Sequence, residues 1–383
     1  MPLCIYCLEN SFDLEKGSKE HVILSSLGGR KCSRNICCLG CNRRLGNEID
    51  EPFSKEYAFL STMFDITKDG QKKEPPTHRA AVEHDGLAYD IKPGGIFNLS
   101  KPLVSQKDQP DGNPSISITA GSKEQLVILL KEVLKKYKKT SDDFPSLEAT
   151  SIKFYLPVQH REITPGGSRN FRAVAKMLLT YLGTLVKPER LRSKTFYDVV
   201  AFIKGSNNKF SGINIGSCVK IPDSPKISDI NHRAFIFASS KNNLVVGVLE
   251  LFGNIKYTIE LTSIWDGPDI SKVYVIDPIS TNSEEHNLES DLLSVFEGYE
   301  NYKPDINSFL AGFDNVTRLF QERQSNQHIG SLTRAAVERH IIGKGDIITK
   351  EMIDNLVNEA TLEFVKFLCR IDTKDIIDLK GEN

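Results

Sequence analysis

The chain has no excess charge of either sign: 49 Lys and Arg stand against 50 Asp and Glu, a formal net charge of -1. That balance excludes a basic tail gripping nucleic acid by bulk charge, so any such contact must come from local patches. Long apolar runs are also missing. The richest stretches, Leu126–Leu134 and Leu244–Phe252, are interrupted by charge and too short to span a bilayer. The opening MPLCIYCLEN lacks the basic-then-apolar pattern of an export signal, and a soluble, cytoplasmic protein with no membrane partner is expected. No GK[ST] follows Gly166-Gly167, so that turn is not a phosphate loop. Internal repeats and low-complexity runs are absent. Cysteine is scarce outside one place: six of the eight lie between Cys4 and Cys41, and Cys218 and Cys369 are isolated. A disulfide scaffold spreads its cysteines through the fold, whereas this clustering favours a metal.

What is there suggests two or three domains in 383 residues. Residues 1–65 read as a compact Cys- and Gly-containing unit, and 66–78, ending near Pro75-Pro76, as a linker. Residues 79–383 read as a larger mixed region of unassigned role, with candidate substructure at 79–225 and 226–383. Short strands and turns are expected from Thr77 to Ile118, and a helix from Ser122 to Lys139 with a Ser122 N-cap and Gln125 at the capping-box position. A strand is expected at Ser151–Pro157, an apolar-periodic helix at Arg169–Leu185 and another helix at Phe196–Lys204. The stretch His232–Trp265 reads as a β-meander, with Trp265 in the core. From Leu288 onward helix dominates, ending with Met352–Cys369.

Two pairs carry the strongest signal. Cys4-x2-Cys7 and Cys38-x2-Cys41 each form a knuckle presenting two thiolates, and together they suit a closed tetrahedral zinc site. Such a site has no open position and is structural; its binding supplies folding free energy to a small unit. Cys37 and Cys32 complicate the ligand assignment, Cys37 being able to substitute. Between the pairs lies Ser18-Lys19-Glu20-His21-Val22-Ile23, then Leu27-Gly28-Gly29. Adjacent residues on a strand point to opposite faces, so Glu20 and His21 can share a task only where the strand twists or ends. Asn42 directly follows the second knuckle, at the start of an expected helix, and is thereby brought back towards Glu20 and His21.

Cys-x2-Cys, Glu-His in the loop, then Cys-x2-Cys-Asn resembles the HNH, or His-Me finger, endonuclease family. The order is similar to the phage Holliday-junction resolvases of the endonuclease VII type. EHVILSSLGG…CLGCNRRLGNEID also looks like bacterial standalone HNH proteins marked by Glu-His-Val-Ile-Pro, Cys-Asn and Ile-Asp. The resemblance covers about residues 4–53. It implies an α+β fold class: an N-terminal zinc-stapled ββα-metal domain followed by a larger mixed α+β domain. It also implies a metal-dependent endonuclease leaving a 5′ phosphate. His21 is then the general base, and Glu20 is a hard ligand of a catalytic Mg²⁺ or Mn²⁺. Asn42 gives its amide oxygen to that ion or orients His21. The sequence departs from the pattern in three places. Glu20 replaces the commoner Asp, Leu24 stands where Pro is usual, and no His follows Asn42 before His78. Asp50 and Asn47 are the candidates for the last position. On an α-helix Asp50 falls about 80° around from Asn42 and two turns along, as a ligand through water or as a cap of the next segment.

Arg30, Lys31, Arg34, Arg43 and Arg44 surround the motif and suit DNA phosphate contact, with Arg43 and Arg44 placed at a helix start. The run Lys131–Lys139 reads as a solvated helix end rather than a DNA contact. DNA is the expected partner. The C-terminal region is expected to recognise DNA structure, bind an activating partner or ligand, or build a homo-oligomer, and a role in bacterial defence against foreign DNA follows by analogy. Two alternatives stand beside this: a junction resolvase, which requires a dimer, and a non-catalytic zinc ribbon that binds or regulates.

Overall fold

The computed structural model describes residues 3–9, 18–70, 75, 77–108, 114–138, 148–153, 162–207, 210, 212–289, 291–297, 299, 302–303, 305–344 and 347–376. Strand β1 (Glu20–His21) and β2 (Cys32–Ser33) form an antiparallel pair, and α1 (Leu39–Leu45) follows. A π-helical turn, Gly46–Asp50, joins α1 to α2 (Glu51–Met63). Next come β3 (His78–His84), β4 (Leu87–Lys92) and β5 (Ile96–Leu99), then the hairpin β6 (Leu103–Asp108) and β7 (Pro114–Thr119). Helix α3 (Lys123–Tyr137) and β8 (Thr150–Lys153) precede α4 (Ser168–Leu185), α5 (Pro188–Leu191) and α6 (Tyr197–Lys204). Strands β9 (Ile213–Ile215), β10 (His232–Ser239), β11 (Leu244–Leu251), β12 (Ile255–Thr262), β13 (Ile270–Ile276) and β14 (Ser283–Asn287) follow. The chain ends with α7 (Leu292–Val295), α8 (Ile306–His340), α9 (Lys350–Leu368) and β15 (Thr373–Ile376). Among the described residues no helix is long and apolar enough to cross a membrane.

Two compact units result: Met1–Pro76 with Glu162–Gln321, and Thr77–Arg161 with Glu322–Asn383. The first is built on an antiparallel six-stranded sheet of order β14-β13-β10-β11-β12-β9. Side chains alternate across a strand, and β10 uses both faces. Ala234, Ile236 and Ala238 join the larger core, while Phe235 and Phe237 join a second core on the opposite face. Because both faces are covered, β10 and β11 are buried at every position, which explains their near-continuous apolar sequence. Helix α4 lies on the first face, where a Cβ on Gly247 would approach Leu178 to 3.0 Å. Residues 4–66 contribute to this same core through Tyr6, Val22, Ile23, Leu27, Leu45, Phe53, Tyr57 and Ile66. The expected linker is packed at its start: Ile66 is 1% exposed, and its N–H donates to Ser61 O at 2.8 Å.

The second unit holds the sheet β3-β4-β5 and the pairs β6-β7 and β15-β8. Helix α3 begins as expected, with Ser122 Oγ accepting from Gln125 N. The Gln125 side chain reaches back to Gly121 N at 2.9 Å rather than to the N-cap itself. Of the strand expected at Ser151–Pro157, residues 154–157 lie outside the described residues. The sheet is wider than the expected meander: past Trp265 the chain crosses over to pair β13 with the free side of β10, and β14 pairs with β13. SEEHN in β14 is an edge strand, exposed at most positions, and has no apolar alternation to betray it.

Candidate active site

The N-terminal turn and α1 bring four sulfurs together. The Sγ atoms of Cys4, Cys7, Cys38 and Cys41 all lie within 4.8 Å of one another. Each knuckle is shaped by its own backbone: Cys4 Sγ accepts from Tyr6 N at 3.4 Å, and Cys38 Sγ, at the N-cap of α1, accepts from Cys41 N. Burial pushes the Cys4 and Cys41 thiols up, the crowding of sulfur charge adding to it at both. A thiophilic dication is what allows four thiolates to share such a space, and the donor set fits structural zinc. Cys37 points elsewhere, its thiol donating to Glu20 Oε2 at 3.6 Å, and Cys32 faces His21 across the β1–β2 pair. Two further ties hold the knuckles: Ile5 N donates to Ile36 O at 3.0 Å, and Arg192 donates to the carbonyls of Leu3 and Asn35.

The loop between β1 and β2 depends on its two glycines. Gly28 has φ +87°, and a Cβ there would lie 2.8 Å from that of Pro278. At Gly29 a Cβ would come within 1.7 Å of Ile23 O, so any side chain would force the loop away from β1.

The strand β1 is only two residues long and divides its side chains. Glu20 turns inward and is 2% exposed, whereas His21 stays half-buried. Both still line one cavity of about 290 Å³, together with Lys19, Leu24, Ser25, Ser26, Asn42, Asp50, Ser54 and Lys68. Thus Glu20, His21, Asn42 and Asp50, singled out from sequence, meet at one place. Asp50 gets there by a route that α-helical spacing does not describe. The π turn carries an i→i+5 bond, so its residues advance less around the axis than those of an α-helix. Asn42 reaches back across the cavity, its amide nitrogen donating to Ser18 Oγ and to Lys19 O at 3.2 Å. That arrangement leaves the amide oxygen as a free acceptor among the described residues.

Two partners of these residues were not anticipated. Lys176, from α4, is fully buried, and its Nζ donates to Glu20 Oε1 at 2.5 Å and Asp50 Oδ2 at 2.6 Å. Burial alone would push the ammonium down; the carboxylates of Glu20 and Asp50 outweigh it, hold the group up and keep it charged. Asp69, from the segment read as a linker, sits 3.2 Å from His21 Nε2. The hydrogen bond from His21 holds the Asp69 carboxyl below its ordinary value, against a small burial effect.

Oxygen donors from Glu20, Asn42 and Asp50 lining one cavity are hard-cation chemistry. Asp50 Oδ1 is buried and no donor among the described residues reaches it, which fits a cation approaching from the cavity. Glu20 is already engaged at both oxygens, by Lys176 and Cys37.

The basic residues sort differently from their sequence positions. Arg30 is turned onto its own loop, donating to Gly29 O and to both Thr67 O and Thr67 Oγ1. Lys31 pairs with Glu285 and lies over the rings of Tyr181 and Tyr274. Arg43 and Arg44 are exposed but occupy the last turn of α1, not its start, so the helix N-terminus adds nothing to their anion affinity; that expectation is corrected. Lys19 and Lys68 are exposed at the cavity wall. Sequence reasoning passed over both, because neither lies in a basic run.

Residues 4–58 match the model of the HNH endonuclease family. This part of the chain is therefore similar to a family that typically comprises nucleases dependent on divalent metals. The match stops before Asp69 and Lys176. No curated protein and no solved structure matches the chain.

Proposed function

We propose that this protein is an endonuclease that hydrolyses DNA phosphodiester bonds at the cavity beside β1, and that it acts against foreign DNA. One observation carries the reading: Glu20, His21, Asn42 and Asp50 converge on a single cavity next to a four-sulfur cluster. His21 is the general base, taking a proton from the water that attacks phosphorus. Glu20, Asn42 and Asp50 are the residues that would hold a Mg²⁺ or Mn²⁺ ion, which supplies electrostatic stabilisation of the charge developing on the phosphoryl group and leaving oxygen. Lys176 offsets part of the charge of the two carboxylates and fixes where they point. Lys19 and Lys68 stand where backbone phosphates would approach, and contacts of that kind position a duplex without reading its sequence.

The test is cleavage of supercoiled, linear and branched DNA by purified protein with Mg²⁺ or Mn²⁺. The wild type should cut, and His21→Ala should lose roughly 10²- to 10⁴-fold in rate, the usual share of a general base. Equal activity in the two proteins, or none in either on every substrate, would overturn the reading.

A further inference from the structure

The loop after α2 lies beyond the HNH match, yet it delivers a carboxylate to His21. Asp69 Oδ2 stands 3.2 Å from His21 Nε2. Among the described residues, no partner reaches the other ring nitrogen, Nδ1.

Three contacts fix Asp69 where it is. Ile66 is buried in the core and anchors the loop at its start. Arg30 clamps Thr67 through a guanidinium nitrogen that donates to the carbonyl at 3.0 Å and the hydroxyl at 3.2 Å. The Asp69 backbone N–H donates to Ser25 Oγ at 3.2 Å, tying the loop to the segment between β1 and β2. A carboxylate held this firmly can only accept. Of the two neutral imidazole tautomers it therefore selects the one that carries its proton on Nε2 and has its lone pair on Nδ1.

We infer that Asp69 is a positioning residue: it fixes the ring orientation and tautomer of His21, so that Nδ1 is the atom that accepts the proton from water. This rests on the nuclease reading for its catalytic consequence, but the tautomer itself does not. The arrangement also gives Arg30 a use other than phosphate contact, since its clamp on Thr67 sets the loop that carries Asp69. By the same logic a carboxylate beside histidine acts by orientation and charge without touching substrate.

The experiment compares wild type, Asp69→Asn, Asp69→Glu and Arg30→Ala. Imidazole nitrogen-15 spectra are recorded at about pH 8.5, where an ordinary imidazole is neutral. The His21 signals are identified by their loss in His21→Gln. Wild type should show the proton on Nε2; Asp69→Asn should lose that preference, and Asp69→Glu should keep it. In cleavage assays Asp69→Asn should lower kcat by roughly 10²-fold while KM, DNA affinity and melting temperature stay near wild type. Asp69→Glu should recover much of the loss. Arg30→Ala should lower kcat in the same direction, with the His21 signals broadened. A wild-type ring protonated on Nδ1, or an Asp69→Asn protein with unchanged kcat, overturns the inference. An inert wild type overturns the nuclease reading instead, and the nitrogen spectra then still decide whether Asp69 sets the tautomer.

Discussion

Two buried ionic clusters sit in the same unit and are built to opposite ends. On β10 and β11, Arg233 donates to both oxygens of Glu250, at 2.7 and 2.9 Å, and to Ser224 Oγ at 2.6 Å. Lys256 stands 3.5 Å from the same carboxylate. That cluster is closed: cations outnumber the one carboxylate, forked geometry satisfies both of its oxygens, and the Arg233–Glu250 pair joins facing positions of two neighbouring strands. The cluster around Lys176 is open. One ammonium serves two carboxylates, one Asp50 oxygen has no donor among the described residues, and Glu20 and Asp50 border a cavity. A buried pair that is fully satisfied is consistent with a structural role. A buried pair left with negative charge to spare beside open space is what makes this cluster the candidate site.

Removing the cation from each cluster should break the comparison most sharply. Arg233→Met and Lys176→Met should each cost about 3–5 kcal/mol, the usual effect of leaving a buried charge without its partner, read by urea unfolding. Only Lys176→Met should regain stability when Mn²⁺ is added, because only its carboxylates face a cavity. If Mn²⁺ raises the two midpoints equally, the distinction between open and closed clusters collapses.

A smaller effect separates two histidines. His21 borders the cavity, whereas His232 is sealed, donating to Leu27 O at 2.9 Å and accepting from Phe252 N at 2.9 Å. Burial lowers the His232 pKa from 6.5 to about 4. Above the unfolded value the ring is neutral in both states. As pH falls from there towards about 4, only the unfolded chain takes up the proton, so stability falls with it. Between about pH 7 and pH 5 this one group should remove about 2 kcal/mol. His232→Asn should be less stable at neutral pH and show a shallower decline on acidification. Parallel curves for the two proteins would contradict the sealed-histidine account.

The smallest expected change is at the rim. Lys19→Ala and Lys68→Ala should each weaken DNA binding by about threefold to tenfold and flatten its salt dependence. Lys256→Ala, at the closed cluster, should leave binding unchanged. Equal effects at the three lysines would mean that the cavity mouth has no special relation to the substrate.

Much of the candidate site was legible because its residues are held by local geometry. The two cysteine pairs, Glu20-His21 and Asn42 lie in one loop and the helix that closes it, so spacing alone brings them together. Asp50 was half legible: its residue type and nearness to Asn42 singled it out, but nothing in GNEID announces the π turn that places it. Lys176 was hidden inside FRAVAKMLLTYLGTL, where the apolar period dominates. A lysine among residues that are all buried, from Ala173 to Gly183, is the signal that could have revealed it. Asp69 was missed because the polar stretch before Pro75-Pro76 has the composition of a linker, and the contacts that hold Asp69, through Ile66, the Arg30–Thr67 clamp and Ser25, come from residues whose pairing no local pattern announces. In the fold, β10 to β12 were plain from their apolar character. By contrast, β14 owes its place to pairing with β13 rather than to side chains of its own.

The spacing between Lys176 and its acidic partners has a consequence for synthesis. Glu20 and Asp50 leave the ribosome 156 and 126 residues ahead of the lysine that neutralises them. Until α4 has emerged and docked, a growing chain exposes cysteines able to take up metal, yet the carboxylates beside them lack their counter-charge. The order of translation therefore leaves the charge cluster beside the cavity incomplete until residue 176 has been made and its helix has packed.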